Sequence, residues 1–132
     1  NTVEHKFETG ETETNYISRM LSKINAFVKL HDIHVWVISH PRKMEVSSDG
    51  VVTVPTLYDI SGSANWYNKI DNGITIHRHR TNDDDYVGVY VGKIRHQYKN
   101  GKPGVAEFDY NITTGRYNER YERRGIERNL FG

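Results

Sequence analysis

His40 closes a nearly continuous apolar run, Ile33-His-Val-Trp-Val-Ile-Ser39. At the carboxyl edge of an open α/β sheet, where ligands bind, a histidine can hydrogen-bond a phosphate. A histidine that only ends a strand in solvent looks the same in isolation. Arg42 and Lys43 follow at once, in a loop that runs to Pro55. Positive charge on a mobile loop suits phosphate contacts along a single strand, and it also suits a plain solvated surface. Ser61-Gly62-Ser63-Ala64 offers small residues at a helix start. There backbone N–H groups can approach a phosphate closely, or the helix can simply pack tightly. Lys93-Ile-Arg95 puts two cations on one face of an alternating strand, about 7 Å apart. Arg78 ends another strand, and its guanidinium can stack on a flat ring. His31-Asp-Ile-His34 and His77-Arg-His79, with Asp83-Asp84-Asp85, imitate metal-ligand spacing. No further ligand converges on them, and three aspartates suit a hairpin turn, so no metal is expected.

These residues need elements to hold them. From Thr12 to Leu30 the apolar residues Tyr16/Ile17, Met20/Leu21, Ile24 and Phe27/Val28 follow the spacing of an amphipathic helix. Thr12 or Thr14 can cap it. Ile33 to Ser39 reads as a β-branched strand buried on both faces, as in a parallel sheet. Its first neighbours are expected before Asn1 or in another chain. Residues 41–56 read as a long loop with a short ribbon near Val51–Val54. Asp59 to Lys69 permits a helix. Strands are expected over 73–78, 86–95 and 105–110, with turns at Thr81–Asp85 and Asn100-Gly101.

Over twenty ungapped positions, Asp59-Ile-Ser-Gly-Ser-Ala-Asn through Asp71 to Arg78 resembles ring helicases of the RecA class. These are the DnaB type, and more closely the phage primase-helicases and Twinkle helicases. The preceding Ser39-His-Pro-Arg-Lys43, the Lys93-x-Arg95 pair and Phe108-Asp-Tyr-Asn-Ile-Thr-Thr-Gly115 extend the match. The resemblance implies an α/β fold: the C-terminal half of a RecA-like domain, helix–buried strand–helix and then mostly antiparallel strands. It implies that His40 senses the γ-phosphate, and that Arg95, with Lys93, reaches into the neighbouring subunit's nucleotide as an arginine finger. Arg42, Lys43, Ser61, Gly62 and Ser63 would line the channel for single-stranded DNA. The family has an arginine where this chain has Ser61, so that surface carries one cation fewer. Arg78, with Tyr117 or Tyr121, would hold the base of the nucleotide.

No G-x-x-x-x-G-K-[ST] phosphate loop occurs in the sequence, and Gly101-Lys102 is followed by Pro and does not qualify. The first residue is Asn, and the chain is expected to be cut from something longer. Residues 1–119 would be a partial helicase domain lacking Walker A and Walker B, and 120–132 a basic tail. The implied parent is an ATP-dependent 5′→3′ replicative helicase. It would be a homo-hexamer using ATP or another NTP with Mg²⁺, with a primase domain possible in cis. This chain alone is expected to be inactive. Three other classes stay open: a small single-stranded nucleic-acid-binding module displaying Tyr86, Tyr90, Tyr98 and Tyr110, a RecA-class recombinase or ATPase fragment, and a metal nuclease, which metal content would discriminate.

Composition adds limits. A length of 132 residues suits one domain, and 27% charged residues make a polar surface. The net charge of +1 singles out no partner. With no cysteine, disulfides and thiolate chemistry are excluded, and a bacterial or phage-infected cytoplasm is the expected setting. No apolar run reaches the roughly 20 residues of a membrane span.

Overall fold

The computed structural model describes residues 8–48, 50–60, 63–81 and 84–120. The expected positions Ser61, Gly62 and Tyr121, the turn residue Asp83 and all of the basic tail beyond Arg120 lie outside them, as does the side chain of Ser63.

Helix α1 spans Glu13–His31. Thr12 caps it by accepting the Asn15 N–H at 3.3 Å, as its position in the sequence suggested. The helix stops where Asp32 turns left-handed, φ 49°, and donates its N–H to Val28 O. Arg19 reaches back to Glu11 with two hydrogen bonds of 2.8 and 2.7 Å. That pairing holds the Glu11 carboxyl down at about 2 and ties the preceding loop to the helix.

Helix α2, Ser63–Lys69, lies across α1. Trp66 packs with Tyr16, Ile17 and Leu21 into the buried core, and Met20, Ile60 and Ile70 close around it. Polar ties fix the crossing. Asn25 donates to Lys69 O at 2.8 Å, Lys69 Nζ to Ser18 O at 3.0 Å, and Asn65 to Thr14 O at 3.2 Å. A 3-10 turn, Leu57–Asp59, buries Leu57 against the next strand. Gly73 is needed there, because an added Cβ would collide with the Leu57 side chain.

The rest is an open antiparallel sheet in the order β1-β2-β3-β4. The strands are β1 Asn72–Arg80, β2 Asp85–Ile94, β3 Gly104–Asn111 and β4 Arg116–Glu119. A single helical turn, α3 Gln97–Asn100, joins β2 to β3. Register places Ile76 opposite Val89, and Val89 opposite Ala106. One face therefore carries Ile74, Ile76, Val87, Val89 and Phe108, and Ile76 is 73% exposed there.

The mixed α/β order agrees with the fold class read from the sequence. The apolar run 33–39 differs in one respect. It stands between the two helices as expected, but it joins no ladder among the described residues. It is also largely open to solvent, with Trp36 74% and Ile38 91% exposed. A strand exists only by pairing its N–H and C=O groups with a neighbour. Among the described residues no segment pairs with it, and although Val35 and Val37 border a cavity with Leu21, Ile24 and Ile74, most of the run's surface stays in solvent.

Arg120 fixes the end of the sheet. Its N–H donates to Glu107 O at 2.9 Å. Its side chain, 8% exposed, reaches Asp84 at 2.7 Å and lies 4.5 Å from the Tyr86 ring centroid. Nε is 3.2 Å from Asp109, close enough for charge attraction but not aligned for a hydrogen bond. Arg120→Ala leaves two carboxylates without this cation. We expect it to cost about 2 kcal/mol, the scale for hydrogen bonds to charged groups. The checks are a lowered thermal midpoint and faster amide exchange confined to Arg116–Glu119. Unchanged exchange there would show that β4 does not depend on Arg120.

Candidate functional site

The start of the Arg42-Lys43 loop meets the turn that closes at Asp59. Pro41 bridges to Ile60, and Arg42 N–H donates to Asp59 O at 2.6 Å. The Arg42 guanidinium, with a side chain 72% exposed, pairs with Asp59 Oδ1 at 3.0 Å. The other Asp59 oxygen accepts from the Thr56 N–H and hydroxyl, both at 2.8 Å, which closes a capping box on the 3-10 turn. The Thr56 N–H and hydroxyl, then Arg42, hold the Asp59 carboxyl below its ordinary range. Lys43 lies exposed beside Arg42, and α2 begins at Ser63 just past the turn. The loop beyond Lys43 forms a short ribbon, with Val46 bridged to Val52. His40 is exposed immediately before Pro41, so it shares this edge of the molecule.

Lys93 and Arg95 sit together at the carboxyl end of α2. Lys93 Nζ donates to Tyr67 O and lies 4.6 Å from the Tyr67 ring centroid. Arg95 pairs with Asp71 at 2.7 Å, donates its backbone N–H to Asp71 O at 2.7 Å and reaches Asn68 O at 3.4 Å. The last carbonyls of a helix lack internal donors and carry partial negative charge, so both cations are well placed there. Burial, then Arg95, lowers the Lys93 ammonium from its usual range.

Arg78 makes a two-pronged pair with Asp85, at 2.7 and 2.5 Å, which raises the guanidinium further. Alternation and register put Tyr117 on the same sheet face as Arg78, leaning on Tyr110 at 5.1 Å between centroids. The two residues expected around a base therefore share one surface. His77 and His79 are neighbours, 4.6 Å between centroids. His79 stacks on Tyr86 at 4.4 Å, and its Nε2 is 2.6 Å from Tyr90 Oη. Among the described residues no three possible metal ligands converge.

Sequence reasoning missed the stack of Tyr58 on Tyr67, with centroids 4.6 Å apart and planes 20° from parallel. The Thr56-Leu-Tyr-Asp59 capping pattern was readable and would have located the turn. Nothing in the spacing of the two tyrosines foretold that their rings meet.

No family model matches this chain, and no solved structure matches it. A protein of Arabidopsis thaliana, Twinkle homolog protein, chloroplastic/mitochondrial, is 41% identical over 122 residues. The match takes in 90% of this chain but only 17% of that protein, so the chain spans about a sixth of its relative's length. Among the described residues no helix is long and apolar enough to cross a membrane. Across nearly its whole length, the chain is related to the Twinkle-type helicases, the kinship that its Asp59–Arg78 motif indicates.

Proposed function

We propose that this chain is the C-terminal part of the RecA-like motor domain of an ATP-dependent 5′→3′ replicative DNA helicase. The observation that carries this reading is the joining of the Arg42-Lys43 loop to the Asp59 turn within a Twinkle-related sequence. In a complete motor, His40 reads the γ-phosphate of ATP or another NTP held with Mg²⁺. Lys93 and Arg95 act on the nucleotide of the neighbouring subunit in a homo-hexamer. Arg78, with Tyr117 or Tyr121, faces the base. Arg42, Lys43 and the small residues Ser61 to Ser63 meet single-stranded DNA. A primase domain in cis is compatible with the reading. The open apolar surfaces at Trp36, Ile38 and Ile76 support it, since the rest of such a domain would cover them. We assign the parent to a bacterial or phage-infected cytoplasm, which the absence of cysteines fits. The Arabidopsis relative is named for chloroplast and mitochondrion instead.

A free-standing module that stacks bases on its sheet is less well supported. Tyr86 and Tyr90, two of its four platforms, are engaged by Arg120 and His79.

The test is binding of oligo(dT) as a function of salt. Weak, salt-sensitive binding is expected. Arg42→Ala with Lys43→Ala should lower affinity and flatten the logarithmic salt slope by about 0.7 for each phosphate no longer neutralised. If both affinity and slope stay as they were, this loop does not meet the DNA.

A further inference from the structure

Tyr58 occupies the middle of the 3-10 turn, and the turn is held from several sides. Leu57 is buried in front of Gly73. Thr56 Oγ1 accepts the Tyr58 N–H at 3.3 Å, and Asp59 closes the capping box. The Asp59 carbonyl accepts the Arg42 N–H. The Tyr58 backbone is therefore fixed before any ligand arrives. Its ring lies nearly parallel to that of Tyr67, and Lys93 Nζ stands over the Tyr67 ring.

Even so, Tyr58 is 54% exposed. One face lies against Tyr67, and more than half of the residue is open to solvent. An aromatic ring backed by a second ring loses little freedom when a flat ligand settles on its open side. The next residue along, Asp59, holds the exposed Arg42 by both backbone and side chain. An exposed aromatic ring and a guanidinium are thus anchored to adjacent residues of one turn. Stacking on a ring next to a positive charge is how single-stranded nucleic acid is held without sequence preference.

We propose that Tyr58 is a base-stacking platform for single-stranded DNA, with Arg42 taking the adjoining phosphate. This rests on the DNA-binding reading above and adds a base interaction to a surface otherwise assigned to backbone phosphates.

The experiment compares two labelled strands of equal length, oligo(dT) and a strand made wholly of abasic sites, titrated with this chain and followed by fluorescence anisotropy. The unaltered chain should bind oligo(dT) about tenfold more tightly than the abasic strand. Tyr58→Ala should remove that preference, weakening oligo(dT) binding about tenfold and leaving the abasic strand unchanged. Tyr58→Phe should keep it. Equal affinity of the unaltered chain for both strands overturns the platform and leaves phosphate binding intact, as does a Tyr58→Ala chain with unchanged preference. Equal weakening of both strands by Tyr58→Ala makes Tyr58 a support of the turn, and also overturns the platform. Binding of neither strand overturns the DNA reading together with the platform. The comparison of strands on the unaltered chain needs no variant to fold.

Discussion

Replacing Arg95 by alanine in the complete helicase should leave nucleotide binding nearly intact and cut turnover about 10³–10⁵-fold. The size follows from what an arginine finger does. It neutralises charge that appears on the transferred phosphoryl group only in the transition state, so its removal falls on the chemical step rather than on binding. Arg95 should be dispensable for folding, since its pair with Asp71 is solvent-exposed, and such pairs contribute little. The decisive measurement mixes Arg95→Ala subunits with subunits whose phosphate loop is inactivated. If Arg95 acts across the subunit boundary, mixed rings contain some interfaces with both defects and some with neither. ATPase activity then partly returns. Confirmed mixed rings as inactive as their parents would show that Arg95 is not a trans-acting group.

Trp66→Ala should have the largest effect on stability. Trp66 fills the junction of α1 and α2 against Tyr16, Ile17 and Leu21, and no other large cluster of buried side chains is present among the described residues. Truncating a buried tryptophan costs about 3–5 kcal/mol, from reduced burial and from the cavity left behind. Folded domains hold only about 5–15 kcal/mol in total, so this chain should lose most of its cooperative unfolding. Urea titration followed by far-UV circular dichroism checks it. Trp36→Ala is the control, because that indole is mostly in solvent and its removal should barely move the midpoint. A Trp66→Ala midpoint equal to the parent's would mean that the helix pair is not what holds the chain together.

Local patterns were the legible part of the fold. Thr12 and the Tyr16-to-Val28 stripe located α1, because a cap and a helical period are both written within a few residues. Strands β1 to β3 were readable from alternation and from the Asn100-Gly101 turn. Strand β4 was not, because Arg116-Tyr-Asn-Glu119 is polar nearly throughout and shows no alternation. Its turn is made by the Asn111 side chain accepting from the Thr113 and Thr114 N–H groups, a local signal that could have announced it. The run at 33–39 has a strand's composition, yet forming a strand depends on a partner that composition cannot supply. At the candidate site, the resemblance supplied positions and strand alternation supplied the common face of Lys93 and Arg95. Which carboxylate each arginine meets was illegible, because Arg42 and Asp59 come together only through the bridge of Pro41 to Ile60.

Arg42, Arg78 and Arg95 share a property that bears on how quickly a ligand could arrive. Each already faces an aspartate of this same chain: Asp59, Asp85 and Asp71. A few ångströms away the two charges largely cancel, and at physiological ionic strength the remainder is screened within about 8 Å. Each such pair exerts little pull at a distance. An incoming phosphate must reach the guanidinium by diffusion and then evict the resident carboxylate. Association should accordingly be slow for a cationic site, well short of electrostatically steered rates. The aspartate also stands ready to retake its arginine when the phosphate moves on. If Arg42 meets DNA as proposed, its resident Asp59 would make capture of each phosphate a brief, reversible exchange.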